Sequence, residues 1–233
     1  MKVYFLDDKH NNAGDMVSQP ILEHFGIDYE PCGRKIRGKM LAVGSVMSAL
    51  RANDVVWGTG CIRDKIIESP PGARFLAVRG PKTRALIARG DVPEVYGDPA
   101  LLLPLVYDPI VEKKYKVGVV PHYIDKDIVE QKDGQHWIDI QADWQKVVEE
   151  IKSCEMIISS SLHGIIIAEA YGVRATWVRY SNRIIGGDFK FQDYFLGTGR
   201  QEQRKGWLIP SIDGLEERKN KLINALELWK KST

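Results

Sequence analysis

The residues with the clearest capacity for chemistry lie between positions 155 and 178. A short apolar run, 156–158, stops at Ser159, Ser160 and Ser161, and a nearly all-apolar stretch then runs over 162–171. Gly172 stands where a helix C-terminal glycine belongs, and a second strand-like run follows at 175–178. The pattern predicts strand, turn, buried helix, strand: one βαβ unit. In such a unit the turn lies beside the helix N-terminus, where unpaired N–H groups and the positive end of the helix dipole favour an anion. His163 falls in the first turn of this helix. Its ordinary pKa is near neutral, so it suits an anionic substrate that needs a proton moved. Serines before a helix also serve as plain N-caps, and a lone histidine beside an apolar helix is more often a packing residue. The catalytic reading therefore leans on the rest of the chain.

The elements that must position this turn belong to a 233-residue chain, long enough for one large domain or two small ones. Its 44% hydrophobic and 27% charged content are those of a soluble globular protein. A net charge of +2 without a basic run gives no nucleic-acid footprint. Met1 leads directly into a strand-like segment, so no signal peptide is expected, and no apolar run approaches a membrane span. Cys32, Cys61 and Cys154 are odd in number and widely spaced, which predicts reduced thiols in the cytosol and no zinc site.

Along the chain, 2–6 reads as a first strand, followed by a polar loop ending in Asn12-Ala13-Gly14-Asp15 and a helix over 16–25. Asp15 is a candidate N-cap, and Gly14 permits close backbone approach to a ligand. Further strands are expected at 40–44, 54–57, 74–79 and 95–97. The third runs into Gly58-Thr59-Gly60, whose N–H groups can approach a ligand although the dinucleotide fingerprint is incomplete. The fourth ends in Arg79-Gly80-Pro81-Lys82-Thr83, with a helix over about 82–89, and the fifth in Gly97-Asp98-Pro99. This alternation predicts a parallel α/β sheet. Residues 104–116 break the rhythm as a linker. A new sheet begins at 115–120 and ends at Pro121-His122, with a strand at 137–140 and an amphipathic helix at 144–153. Residues 186–204 read as a loop region, and 212–231 as a terminal helix.

Taken in order, Asn12-x-Gly14-Asp15, Gly58-Thr-Gly60, Arg79-Gly-Pro-Lys-Thr83, Gly97-Asp98-Pro99-Ala100 and Ser160-Ser-Leu-His163-Gly resemble the polysaccharide pyruvyl transferase family over roughly residues 1–180. The resemblance implies an α/β fold of two Rossmann-like domains facing a cleft, as in GT-B enzymes, with the C-terminal helix packing back. The expected divisions are 1–108 for the acceptor side, 115–211 for the phosphoenolpyruvate side and 212–233 for the helix. It implies transfer of pyruvate from phosphoenolpyruvate onto two hydroxyls of one sugar in an exopolysaccharide or cell-wall glycan, giving a cyclic ketal and phosphate. Several relatives carry Arg-Leu-His where this chain has Ser161-Leu162-His163, so another arginine, among Arg79, Arg174, Arg179 and Arg183, is expected to meet the donor.

The donor's phosphate and carboxylate suit a helix N-terminus and guanidinium groups. Protonation of its methylene carbon needs an acid, and the attacking hydroxyl needs a base. His163 and Asp15 are the catalytic candidates. Asn12, Gly14, Gly58, Thr59, Gly60, Arg79, Asp98, His122, Ser160, Ser161, Leu162 and Arg179 are the substrate-binding candidates. Asp98 has turn duty as an equal alternative, and Glu169 either orients a partner or reaches the surface. No metal or cofactor beyond the donor substrate is expected. The acceptor is a sugar or oligosaccharide, lipid-linked or free, handled in the cytoplasm or at the inner membrane face by peripheral association. A nucleotide-sugar glycosyltransferase and a non-catalytic glycan-binding relative stand as alternatives, since fold does not fix function.

Overall fold

The computed structural model describes residues 1–5 and 12–232. Leu6, the expected end of the first strand, and loop residues 7–11 lie outside the described residues. The first half contains β1 (Lys2–Tyr4), α1 (Ala13–Met16), α2 (Ser18–His24), β2 (Glu30–Pro31), β3 (Lys39–Leu41), β4 (Val55–Trp57), β5 (Ile67–Glu68), β6 (Arg74–Ala77), α3 (Pro81–Ala85) and β7 (Ile87–Ala88). A 3-10 helix, Pro99–Leu105, leads to the second half. There β8 (Tyr115–Val120), β9 (Gln135–Trp137), α4 (Trp144–Lys152), β10 (Cys154–Ser159), α5 (Leu162–Ala170), β11 (Arg174–Trp177), α6 (Phe189–Gly197) and α7 (Leu215–Lys231) follow.

Two parallel sheets result, ordered β2-β1-β3-β4-β6 and β11-β10-β8-β9, with β5 and β7 as a separate parallel pair. Strands buried on both faces explain the near-continuous apolar runs: Val55, Val56 and Trp57 are all buried. Lys39 is also fully buried, which costs heavily unless the charge is paired. Its ammonium lies 2.5 Å from Asp54 and donates to the carbonyls of Ile36 and Ala49 at 2.8 Å.

A buried core joins residues of both sheets, from Val3, Met40 and Trp57 to Val120, Ile157 and Trp177. At its centre is α5, buried on every side except at Glu169, as an all-round apolar helix must be. It packs on the 3-10 helix, α1, α4, β10 and β11. Gly172 ends it at φ +69°, a left-handed turn that lets Val173 N–H reach the Ala168 carbonyl. The terminal helix α7 packs against β6 and the 3-10 helix, burying Leu222 and Leu226, and Trp57 Nε1 donates to the Leu222 carbonyl at 2.9 Å.

Several elements differ from the sequence reading. Asn12, not Asp15, caps α1: its Oδ1 accepts the Gly14 N–H at 3.0 Å, placing Asp15 inside the first turn. The helix expected over 82–89 stops at Ala85, because Ile87 and Ala88 pair with Ile67 and Glu68. Segment 95–97 contributes a bridge, Val78 to Tyr96, in place of a strand. The largest difference is α6, a buried helix where a loop was expected. Phe191, Tyr194 and Phe195 fill the core, with Phe191 stacked on Trp177 at 4.9 Å. Cys32, Cys61 and Cys154 are free thiols. Among the described residues no helix is long and apolar enough to cross a membrane.

Candidate active site

The turn after β10, the end of β8, the start of α1 and the start of α6 converge on one pocket of about 90 Å³. Asn12, Asp15, Ser45, His122, Ser161, His163 and Lys190 supply its polar lining, with Ile62, Tyr123 and Leu162.

The serine run builds the turn. Ser159 Oγ accepts the Ser161 N–H at 2.9 Å and donates to the Val120 carbonyl at 2.8 Å, which reinforces the last ladder pair between β10 and β8. Ser160 Oγ accepts the His122 N–H at 2.9 Å and donates to Asp125 Oδ2 at 3.1 Å, fixing His122 at the pocket edge. Ser161 occupies the N-cap position of α5 but makes no side-chain cap bond. The first N–H groups of that helix therefore lack the usual side-chain cap beside the pocket.

His163, 8% exposed, extends from the first turn of α5 over Gly14. A Cβ at Gly14 would overlap Cγ and Nδ1 of the ring, so this position admits glycine alone. Behind the ring Asp98 Oδ2 lies 4.0 Å from His163 Nε2, and neither atom has a hydrogen-bond partner among the described residues. The other oxygen of Asp98 caps the 3-10 helix through the Ala100 N–H at 3.1 Å. Turn duty and a place beside His163 thus coexist in one carboxylate. Burial pushes Asp98 up to about 6 and His163 down to about 3, the latter helped by Lys190, Arg79 and His122. At neutral pH the pair is a carboxylate beside a neutral imidazole rather than an ion pair.

Lys190 was not anticipated. It lies one residue into α6, 7% exposed, with Nζ 3.5 Å from His122 Nε2. Burial, and next Arg79, lower it to about 8, while Asp15 and Asp125 raise it, so it remains mostly cationic at neutral pH. The available signal was the helical spacing of Phe191, Tyr194 and Phe195 around a lysine, obscured by the flanking glycines and charges.

The other expected residues lie around this centre. Thr59 donates to the Gly44 carbonyl at 2.8 Å and accepts the Val46 N–H at 3.1 Å, holding the loop that presents Ser45. Gly58 leaves room for Pro99, and Gly60 leaves room for the Arg79 guanidinium. Arg79 is fully buried, bonded to Asp193 at 3.1–3.2 Å and to Ser45 Oγ and the Cys61 carbonyl at 2.6 Å. Arg179 and Arg183 lie outside the pocket lining, paired with Asp188 and Asp127 respectively. Glu169 pairs with Arg200 and accepts from the Tyr194 hydroxyl at 2.6 Å, bracing α5 against α6. Among the described residues no group of three His, Cys, Asp or Glu is arranged to hold a metal ion.

A family model described as polysaccharide pyruvyl transferase matches residues 62–182, just over half of the chain. The chain belongs to the polysaccharide pyruvyl transferase family. The matched region of this pyruvyl transferase relative carries Arg79, Asp98, His122 and the turn at 159–163, but not Lys190. An uncharacterized protein of Acanthamoeba polyphaga mimivirus is 34% identical over 179 residues, covering 70% of this chain and 62% of its own length. The succinoglycan biosynthesis protein ExoV of Rhizobium meliloti (strain 1021) is 28% identical over 218 residues, covering 85% of this chain and 65% of its own. The chain thus spans less than two thirds of the length of these curated relatives. No solved structure matches it.

Proposed function

We propose that this chain transfers pyruvate from phosphoenolpyruvate to two hydroxyls of a sugar in a polysaccharide, forming a ketal and releasing phosphate. The observation that carries the reading is a small pocket with buried His163 and Lys190 in its lining, behind which Asp98 Oδ2 lies 4.0 Å from His163 Nε2, neither atom having a hydrogen-bond partner among the described residues. Family membership supplies the reaction class. Phosphoenolpyruvate is a compact anion that suits a small pocket with a buried ammonium in its lining, whereas a nucleotide sugar demands a far larger one.

The chemistry follows from the protonation states. Addition of the first hydroxyl places its oxygen on C2 of the donor and a proton on the methylene carbon. The second hydroxyl displaces phosphate from C2, and its proton leaves with phosphate or to solvent. His163 starts neutral, so it takes the hydroxyl proton; the imidazolium it becomes lies beside the Asp98 carboxylate and then acts as the acid. Asp15 is a second carboxylate in the same lining. In this reading the half from 1 to 108 presents the acceptor, and that from 115 to 211 holds the donor, in a GT-B-like arrangement. Cytoplasmic action on a soluble or lipid-linked acceptor belongs to the same proposal.

The deciding assay incubates the chain with phosphoenolpyruvate and oligosaccharides, reading phosphate release together with the added mass of a pyruvate ketal. Nucleotide release from a sugar donor, or neither product, would replace this reading with one of its alternatives. Gly14→Ala is expected to lower turnover about a hundredfold, because the methyl group displaces the His163 ring by an ångström or more. A variant that melts like the parent yet turns over normally would show that the ring position is unimportant.

A further inference from the structure

We propose that Lys190 and His122 together form the oxyanion clamp that holds the phosphate group of the donor, an inference that rests on the pyruvyl-transfer reading. The argument begins with hydrogen-bond polarity. His122 Nδ1 accepts the Ile124 N–H at 3.3 Å, which assigns the ring proton to Nε2. That Nε2–H faces the Lys190 ammonium at 3.5 Å, donor towards donor. Two donors converging in a buried pocket are satisfied together by an anionic oxygen that accepts from both. Position supports this. Both residues line the pocket with His163, and the N-terminus of the nine-residue α5, whose N-cap Ser161 makes no side-chain bond, lies alongside. His163, 8% exposed, belongs to the same lining.

The arginines expected for this task are committed elsewhere. Arg79 spends Nε and both terminal nitrogens on Asp193, Ser45 and Cys61, while Arg179 and Arg183 pair with Asp188 and Asp127. Arg174 begins β11, and its exposed side chain belongs to the end of the sheet opposite the turn at 159–163. Asp193 links these facts. It lies one turn after Lys190 in α6 and accepts from Arg79, Thr83 N–H and Thr83 Oγ. The buried arginine thereby anchors the helix that delivers the lysine.

The test uses inorganic phosphate, the reaction's product, as the probe in calorimetric titration, beside donor kinetics. The intact chain should bind phosphate and show competitive inhibition by it. Lys190→Ala should weaken phosphate binding at least tenfold and raise KM for phosphoenolpyruvate, and Lys190→Arg should restore most of both. The groups facing Lys190 are Asp15 from α1, Arg79 after β6, His122 and Asp125 after β8, and His163 from α5. Burial holds His122 and His163 at about 3, so neither titrates in the alkaline range. Phosphate affinity should therefore fall above about pH 8 as Lys190 loses its proton, and Lys190→Arg should abolish that fall. The parent's pH profile stands as a measurement even if the alanine variant fails to fold. Unchanged phosphate affinity in Lys190→Ala, no alkaline fall in the parent, or no phosphate binding by the parent would overturn the clamp. Lys190-dependent phosphate binding without pyruvyl transfer would instead overturn the reaction and leave the clamp standing.

Discussion

Replacing His163 with alanine is expected to lower turnover by roughly two to four orders of magnitude, the usual worth of a general acid–base group. The fold should persist. The ring gives up no hydrogen bond through Nε2, which has no partner among the described residues, and it borders a pocket, so truncation opens little new cavity. A histidine that served packing alone would behave in the opposite way, costing about 1–3 kcal/mol of stability, with activity lost only as folded protein is lost. Thermal melting and phosphate release on the same pair of proteins separate the two. A well-folded His163→Ala protein with near-parental turnover would remove the proton-transfer role altogether.

Asp98→Asn carries the second large effect, and it tests the partner behind the ring. The asparagine Oδ1 can still accept the Ala100 N–H, so the cap on the 3-10 helix survives while the charge disappears. Without a carboxylate beside it, the imidazolium formed during proton transfer is poorly stabilised, and turnover should fall about a hundred- to a thousandfold. Stability should move the other way. Burial raises Asp98 from 3.8 to about 6, so the folded state binds its proton more tightly than the unfolded chain does. Its contribution favours folding below the unfolded value and is lost as pH rises through about 6. At neutral pH the parent therefore carries a penalty of up to roughly 3 kcal/mol that the variant lacks, since one pKa unit is about 1.4 kcal/mol. The melting-temperature gain of Asp98→Asn should be largest above pH 6 and shrink towards pH 4. A variant that is both less stable and fully active would refute the assignment on each count.

These opposed signs describe a site held together at the expense of the fold. Asp98 Oδ2 and His163 Nε2 are each buried without a hydrogen-bond partner among the described residues, and the surrounding core over-determines their positions. Gly14 below the ring, Thr59 and Gly60 behind the Ser45 loop, and the Arg79–Asp193 pair under α6 all restrict movement. A pocket so constrained has its donors oriented before substrate arrives, which is the condition for electrostatic stabilisation to act without reorganisation.

Features that rest on local chemistry were legible in the residues themselves. The apolar run of 162–170 and Gly172 specify a buried helix and its end, and the serines before it mark the strand-to-helix turn that places His163 at a helix N-terminus. Alternating apolar segments likewise announced parallel α/β sheets. Gly14 was legible as a point of close approach, although what approaches it is the His163 ring. Tertiary structure decided the rest. Asp98 and His163 are separated by 65 positions in the chain, and only the docking of α5 on the 3-10 helix brings them together. Arg79 reads as a free cation until Asp193 is found beside it. The segment 189–197 has weak helical character of its own, with aromatic residues between a pair of glycines and a Gly-Thr-Gly run. It becomes α6 because burying Phe191, Tyr194 and Phe195 against Trp177 and the adjoining core supplies what intrinsic propensity does not. Lys190 enters the site only as a consequence of that packing. Capping and periodicity act within a few residues and can be read from them, whereas a side chain's partner across the core is fixed by the packing of the whole chain.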